Sequence, residues 1–512
     1  MQKGSDAFQK LTQSFFSQNK LSVSDKGEAT ATVYVDGSDN SQSLTKKLRS
    51  KVPAWQLESF EKSTAPLHTL ASKTGPVWVL RPQFFDLENQ ISGHYDKLKP
   101  SNYGRARDLA GQWLRQTKDW PADAIHFEFL NCDDDQILGV WVGLGLAQYK
   151  FTDVVRAATS KMVKKAPLFH FTKGTKEFAE ELADEADALI SSINISRHLT
   201  NMPGGDLNPK TFADIAKNLF KNRKSTKVDV WEASELKKEG MGLLLGVGAG
   251  AEHPARMIHI RYRPAGSKGL KPRAFVGKGI TFDTGGLDIK PSSGMRWMKK
   301  DMSGAGTVLA LAHYVSSRQL AVPCDFYLAV AENCVSAEAT RPGDIHIARN
   351  GKSVEIHNTD AEGRLALADA LDVAVTQKGK DEPAEVIDVS TLTGAMRVSL
   401  GLDVAGYFSN SDDLSDELER ASREAGELAW RMPLVKKYKN QLNSNFADLS
   451  NCSDSGFGGA ISAAIFLEYF VREKPWAHFD VMSWNNSPAG AMSEGGNAQS
   501  LQILARYLEN LG

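Results

Sequence analysis

Residues 358–365 read NTDAEGRL, with Asp360, Glu362 and Arg364 on alternate positions and Ala361 and Gly363 between them. On an extended segment every second side chain shares a face, so two carboxylates and a guanidinium would crowd one side while small residues leave the other free to pack. Carboxylates that close repel unless positive charge sits between them. Taken alone, the triplet also fits a solvated turn before a helix.

A second polar cluster lies upstream. The segment VGKGITFDTGGLDIKPSSGMRWMKKDMSGAG, residues 276–306, follows an apolar strand at Ala274–Val276 and reads as a glycine-rich loop able to approach a ligand closely. It carries Lys278, Asp283, Asp288, Lys290, Lys299, Lys300 and Asp301, and ends in a helix start at Ser303-Gly304. Together with Asp360 and Glu362 it offers several carboxylates, and 276–306 itself contains no histidine or cysteine. Oxygen-rich sets suit magnesium, manganese, or zinc held by carboxylates. Paired carboxylates can bridge two ions about 3.5–4 Å apart. The charge between Asp360 and Glu362 would then be metal; the competing account is an ordinary mixed-charge surface loop.

These two motifs resemble the M17 leucyl aminopeptidase family, over roughly residues 178–512. The first ~175 residues resemble it loosely, chiefly in GLGLAQYKFTD (Gly143–Asp153). The resemblance implies metal ligation by Lys278, Asp283, Asp301, Asp360 and Glu362, with Asp283 and Glu362 bridging, and catalytic roles for Lys290 and Arg364. All seven positions hold the expected residue type. A lysine ligates only as a neutral amine, so Lys278 should fall well below the ordinary pKa of about 10.4. Lys290 should stay protonated among carboxylates and stabilise the oxyanion formed at the scissile carbonyl. The implied nucleophile is a water acidified by two divalent ions, zinc or manganese, with magnesium and cobalt open. Asp301 would also pair with the substrate's free amino group, which makes the reaction an exopeptidase one. Arg364 would hold a bicarbonate that shuttles protons; its plainer role is a salt bridge to surplus carboxylate. Met298, Thr391 and Gly394 would line the first side-chain pocket and favour leucine or methionine. Residues 480–496, DVMSWNNSPAGAMSEGG, depart from the familiar pattern with Trp484 and Asn485, which leaves that preference open. The resemblance further implies a homohexamer with enclosed sites that admit short peptides.

The elements that must position these groups are legible as strand and helix in alternation. Val228–Trp231, Met257–Arg263, Ala274–Val276, Phe326–Val330 and Glu385–Val389 read as strands, with helices between them in SGAGTVLALAHYVSS and LALADALDVAV. Asn208-Pro209 is a helix start. The expected fold is α/β with two domains: a smaller N-terminal α/β domain over 1–175, a connecting helix over 176–200 with an acidic outer face, and a catalytic domain over 201–512 with a mixed, largely parallel sheet. In such sheets, sites gather at the carboxyl ends of strands. Within the first domain, Trp78–Leu80 and Ile137–Leu146 read as strand candidates.

Composition bounds the rest. The 61 basic and 62 acidic residues of the 512 leave a formal charge of −1, which gives no electrostatic footprint for nucleic acid or an acidic membrane. A non-catalytic DNA-binding or architectural assembly of the same fold is the rival reading. Cys132, Cys324, Cys334 and Cys452 are scattered without a C-x-x-C pair, as in a reducing compartment. No signal-like apolar core and no membrane-length apolar run is present, so the expected location is cytoplasmic. GVGAGA at 246–251 fits a dinucleotide fingerprint, but no acidic residue lies between Glu252 and Asp283 to complete it.

Overall fold

The computed structural model describes residues 31–39, 41–72, 75–85, 101–118, 124–151, 168–173 and 180–512. Strands β1 (Ala31–Asp36), β2 (Leu67–Ser72), β3 (Gly75–Leu80), β4 (Ala124–Leu130) and β5 (Leu168–Lys173) form one sheet in the order β2-β3-β1-β4-β5. All its pairings are parallel except β2 with β3.

The Trp78–Leu80 strand is the end of β3, but Ile137–Leu146 lies within an α-helix, Asp134–Gln148. Two local features select helix there. Asp133 Oδ1 accepts the Gln136 amide at 2.7 Å and Gln136 Oε1 accepts the Asp133 amide at 3.1 Å, a reciprocal cap. Gly139 and Gly143 let the Asn102–Gln116 helix approach: a Cβ would stand 2.3 Å from Tyr103 O and 2.1 Å from Arg107 O. A run buried on all sides carries no polar face, so periodicity cannot separate helix from strand. Of the Gly143–Asp153 segment, Thr152 and Asp153 lie outside the described residues.

A helix spans Glu180–Asn201, residues 176–179 being outside the described set. It packs against the Asp134–Gln148 helix and the Ser303–Arg318 helix. Its acidic face is only partly solvated. Glu181 and Asp184 are exposed, whereas Glu185 pairs with Arg318 at 3.2 Å and Arg506 at 3.9 Å. In the packed face, His313 Nδ1 lies 2.8 Å from Ser192 Oγ and its Nε2 lies 3.1 Å from Arg223 Nη2. With Nε2 accepting from Arg223, Nδ1 carries the proton. Burial and the Arg223 charge push this imidazole from 6.5 down to about 3. The unfolded chain then binds a proton that the folded one refuses. His313 therefore supports stability above pH 6.5 and withdraws it as pH falls towards 3, at about 1.4 kcal/mol per unit. His313→Gln should flatten the slope of thermal melting temperature against pH between 6 and 4; an unchanged slope would mean that other groups set it.

Strands β6 (Thr226–Trp231), β7 (Arg256–Tyr262), β8 (Arg273–Asp283), β9 (Cys324–Asn333), β10 (Ile345–Ile347), β11 (Ser353–Glu355), β12 (Val386–Ser390), β13 (Ala405–Ser409), β14 (Ala429–Arg431), β15 (Leu449–Ser450) and β16 (Trp476–Asp480) follow. Eight of them form the larger sheet, ordered β14-β13-β16-β12-β8-β9-β7-β6, and β10, β11 and β15 form a short one beside it. The centre, β16-β12-β8-β9, is parallel; the β13–β16, β9–β7 and β7–β6 joins are antiparallel. Central strands are buried on both faces: every residue of β12 and β16 is buried, and the polar Asp388 and His478 among them face each other at 2.6 Å. Asn208 caps the Pro209–Phe220 helix as expected, accepting from the Thr211 amide at 3.0 Å. Among the described residues no helix is long and apolar enough to cross a membrane.

Candidate metal centre

The strand expected to stop at Val276 runs on to Asp283. Lys278 and Asp283 are therefore strand residues rather than loop residues. Glycine is what lets the strand continue: a Cβ on Gly277 would stand 2.6 Å from Ala305 Cα, so only glycine admits the start of the Ser303–Arg318 helix. Five positions apart, Lys278 and Asp283 would face opposite ways on a regular strand. The pairing of β8 with β9 is irregular between Ile280 and Asp283, which resets that alternation.

Asn333, the last residue of β9, fixes Asp283. Its Nδ2 donates to Asp283 Oδ1 at 2.8 Å and to Thr359 O at 3.1 Å. Asp288 serves the loop rather than the cluster: its Oδ2 accepts the Thr359 amide at 2.7 Å, while Thr359 Oγ1 donates to Gly285 O at 2.6 Å. The two motifs, some seventy residues apart in sequence, are thus stitched together at Thr359.

NTDAEGRL is not extended. Thr359 and Asp360 form a turn, and Glu362 opens the Glu362–Val375 helix. Asp360 and Glu362 converge because a turn and a first helical residue place them so, and not through the alternation of a strand. Gly363 has a different purpose from the one expected: a Cβ there would lie 2.5 Å from both Cε and Nζ of Lys278. Its small size makes room for the lysine. Arg364 is buried beside the centre, and Nη1 donates to Asn451 O at 2.9 Å. Its Nε is buried without a hydrogen-bond partner.

The remaining six charged groups meet in one place. Lys278 Nζ lies 2.8 Å from Asp301 Oδ2 and 2.9 Å from Glu362 Oε1, and donates to Thr391 O at 3.1 Å. Lys290 Nζ lies 2.8 Å from Asp283 Oδ2 and also pairs with Asp360. Asp283, Asp301 and Glu362 each present one oxygen, all within 4.8 Å of one another. Glu362 Oε2 is buried without a hydrogen-bond partner. Four carboxylates and two ammonium groups leave net negative charge in a buried place, and oxygens that close suit a divalent cation. The residues fit metal.

The electrostatics follow from that crowding. Burial, with Asp283 and Asp301 nearby, pushes the Glu362 carboxyl up to about 8. Burial opposes charge on Lys278, yet Asp301, Glu362 and Asp283 outweigh it and hold the amine well above the ordinary lysine range. The fall expected for Lys278 is thus reversed while the carboxylates have only protein cations beside them; a neutral amine there requires metal charge. Lys290 is held high despite burial, chiefly by Asp283 and Glu362, in the direction expected. Burial pushes Lys300 down to about 8.

The cluster opens into a cavity of about 300 Å³. Met298, Thr391 and Gly394 line it, with Trp297, Met396 and Met482; Arg364 does not. Thr391 Oγ1 donates to Asp301 Oδ1 at 2.7 Å. Trp484 stands behind the wall, its ring edge-to-face with Trp297 at 5.4 Å and under the Lys299 ammonium at 5.5 Å. Asn485 accepts from Asn497 Nδ2 at 2.8 Å. The divergent segment therefore meets the cavity directly through Asp480, Val481 and Met482, and Trp484 acts on it through Trp297. Sequence reasoning missed Asn333, Asn451 and Asp480. Asp480, buried at the carboxyl end of β16, accepts the Leu392 and Thr393 amides at 3.0 and 3.1 Å and the Thr393 hydroxyl at 2.6 Å, which shapes the cavity floor. A carboxylate ending an apolar strand was the available sign. The 246–251 glycine run forms the end of the Gly242–Val247 helix and a 3₁₀ turn, not a strand–turn–helix.

The chain is similar to known proteins over most of its length. The cytosol aminopeptidase family, catalytic domain, matches residues 194–505. A probable cytosol aminopeptidase of Bdellovibrio bacteriovorus is 41% identical over 70% of this chain and 71% of its own. One from Nostoc punctiforme is 40% identical over 64% of this chain and 66% of its own, so these alignments span about two thirds of the relatives' length. Among solved structures, the cytosol aminopeptidase of Coxiella burnetii superposes with a TM-score of 0.77 at 31% identity, over 95% of this chain and 98% of that one. The bottromycin maturation enzyme BotP, solved in complex with Mn, gives 0.79 at 28% identity, over 94% and 100%. With the catalytic-domain model matching residues 194–505, the chain belongs to the cytosol aminopeptidase family of metal-dependent hydrolases.

Proposed function

We propose that the protein releases the N-terminal residue from short peptides at this centre, with leucine and methionine among the residues accepted. The observation that carries the reading is the meeting of Asp283, Asp301 and Glu362 oxygens within 4.8 Å at the mouth of a cavity, with Lys278 and Lys290 among them. Asp283, Asp301, Asp360, Glu362 and Lys278 would hold two divalent cations, zinc or manganese, with magnesium or cobalt as other occupants. Bound there, the cations supply Lewis acidity and an acidified water. Lys290 aims an ammonium at the oxygen that gains charge. Asp301 takes the substrate's α-ammonium, which excludes chains blocked at the N-terminus. Arg364, with Nε unpartnered, would hold a bicarbonate as proton relay. The same reading carries a homohexamer in the cytoplasm. The DNA-binding alternative finds no support in the chain's charge of −1.

Stripping with a chelator tests the reading. Hydrolysis of leucyl amide should fall at least a hundredfold and return on adding Mn²⁺ or Zn²⁺. Activity that survives exhaustive stripping would dismiss the metal mechanism, and no activity with any cation would dismiss the peptidase reading.

A further inference from the structure

Lys300 lines the cavity with 6% of its surface exposed, and its Nζ has no hydrogen bond or ion pair among the described residues. Burying an ammonium is costly unless it is paired. The nearby carboxylates are engaged elsewhere: Asp301 with Lys278 and Thr391, and Asp480 with the amides of Leu392 and Thr393 and the Thr393 hydroxyl. A second cation, Arg397, lies at the exposed edge of the same cavity, and no carboxylate pairs with it among the described residues. Met298, Met396 and Met482 supply the apolar remainder. An apolar channel with an unpaired cation at its wall and another at its rim is complementary to a short aliphatic stem that ends in a carboxylate.

We propose that Lys300, assisted by Arg397, binds a side-chain carboxylate on the substrate's N-terminal residue, so that the protein accepts N-terminal glutamate or aspartate as well as apolar residues. The proposal rests on the aminopeptidase reading and adds the substrate class. The same two charges repel N-terminal lysine and arginine. Charge is what the site would read, so glutamate against glutamine, nearly equal in shape, is the decisive pair.

The metal-loaded enzyme would be assayed on Leu-, Glu-, Gln-, Asp- and Lys-amides. Glutamate should exceed glutamine in kcat/KM by about tenfold or more, and lysine should be the poorest. Lys300→Met should bring the glutamate-to-glutamine ratio close to one, while Lys300→Arg should keep most of it. If leucine is hydrolysed but glutamate is no better than glutamine, or if Lys300→Met leaves the ratio unchanged, the inference is overturned. Hydrolysis of none of the five would overturn the aminopeptidase reading instead.

Discussion

Glu362→Gln is expected to abolish aminopeptidase activity, with a loss of a thousandfold or more in kcat, and to lose bound metal while the fold stands. Glutamine is nearly the same size, so the start of the Glu362–Val375 helix and the space that Gly363 leaves for Lys278 are preserved. What disappears is one of the three carboxylates whose oxygens lie within 4.8 Å of one another. Stability should move in two directions. Without metal, Glu362 is a buried carboxyl pushed up to about 8 by burial and its acidic neighbours. Glutamine gives up that repulsion together with the pairing of Glu362 Oε1 to Lys278 Nζ at 2.9 Å, two effects of opposite sign, so the metal-free variant should melt close to the metal-free wild type. With metal, the wild type gains about 2.7 kcal/mol when the cation stands at a hundred times its dissociation constant; the variant should show little of that gain. Melting curves with and without Mn²⁺, beside metal content by mass spectrometry, separate the cases. A variant that keeps both metals and full activity would show that Glu362 is not a ligand.

Lys290→Met should lower kcat by about a hundred- to a thousandfold, the usual cost of removing one charged donor from a developing oxyanion, about 3–4 kcal/mol. KM and metal content should change little. This split matters because Lys290 also pairs with Asp283 and Asp360, and a purely structural account is available: the ammonium neutralises the cluster. If charge balance were its whole purpose, the variant would bind cations more tightly and lose little turnover at saturating metal. A fall in kcat at full metal occupancy points instead to the reacting carbonyl. The two substitutions thus test different parts of one centre, Glu362 by occupancy and Lys290 by rate.

The chemistry of this protein was written in residue types. Asp283, Asp301, Asp360 and Glu362, with Lys278 and Lys290, could be gathered from two short motifs, and the alternation of strand and helix around them was enough to expect them at the carboxyl ends of strands in an α/β sheet. Residue type survives any backbone path, which is why these groups could be listed before their positions were known. Geometry did not follow so simply. The extended NTDAEGRL became a turn and a helix start, because a two-residue spacing of charges is compatible with either and the helix beyond it decides. Ile137–Leu146 became a helix that two neighbouring helices and the sheet bury, Trp141 stacking on Phe171, and an apolar run without a wet face has no period to read.

The purpose of Gly277 and Gly363 was hidden for a related reason. Each is small on account of a partner distant in sequence, Ala305 in one case and Lys278 in the other. Asn333 escaped notice because nothing local distinguishes an amide that orients a site from one that faces water, and Asp480 carried no sign beyond its place at the end of a strand. Only the folded sheet brings Asn333 to Asp283 and Asp480 to Thr393. The sequence by itself determined which groups could do chemistry. Tertiary structure decided which of them are paired and which, like the Lys300 ammonium, stand buried without a partner among the described residues, because pairing depends on distances between segments that composition and spacing do not contain.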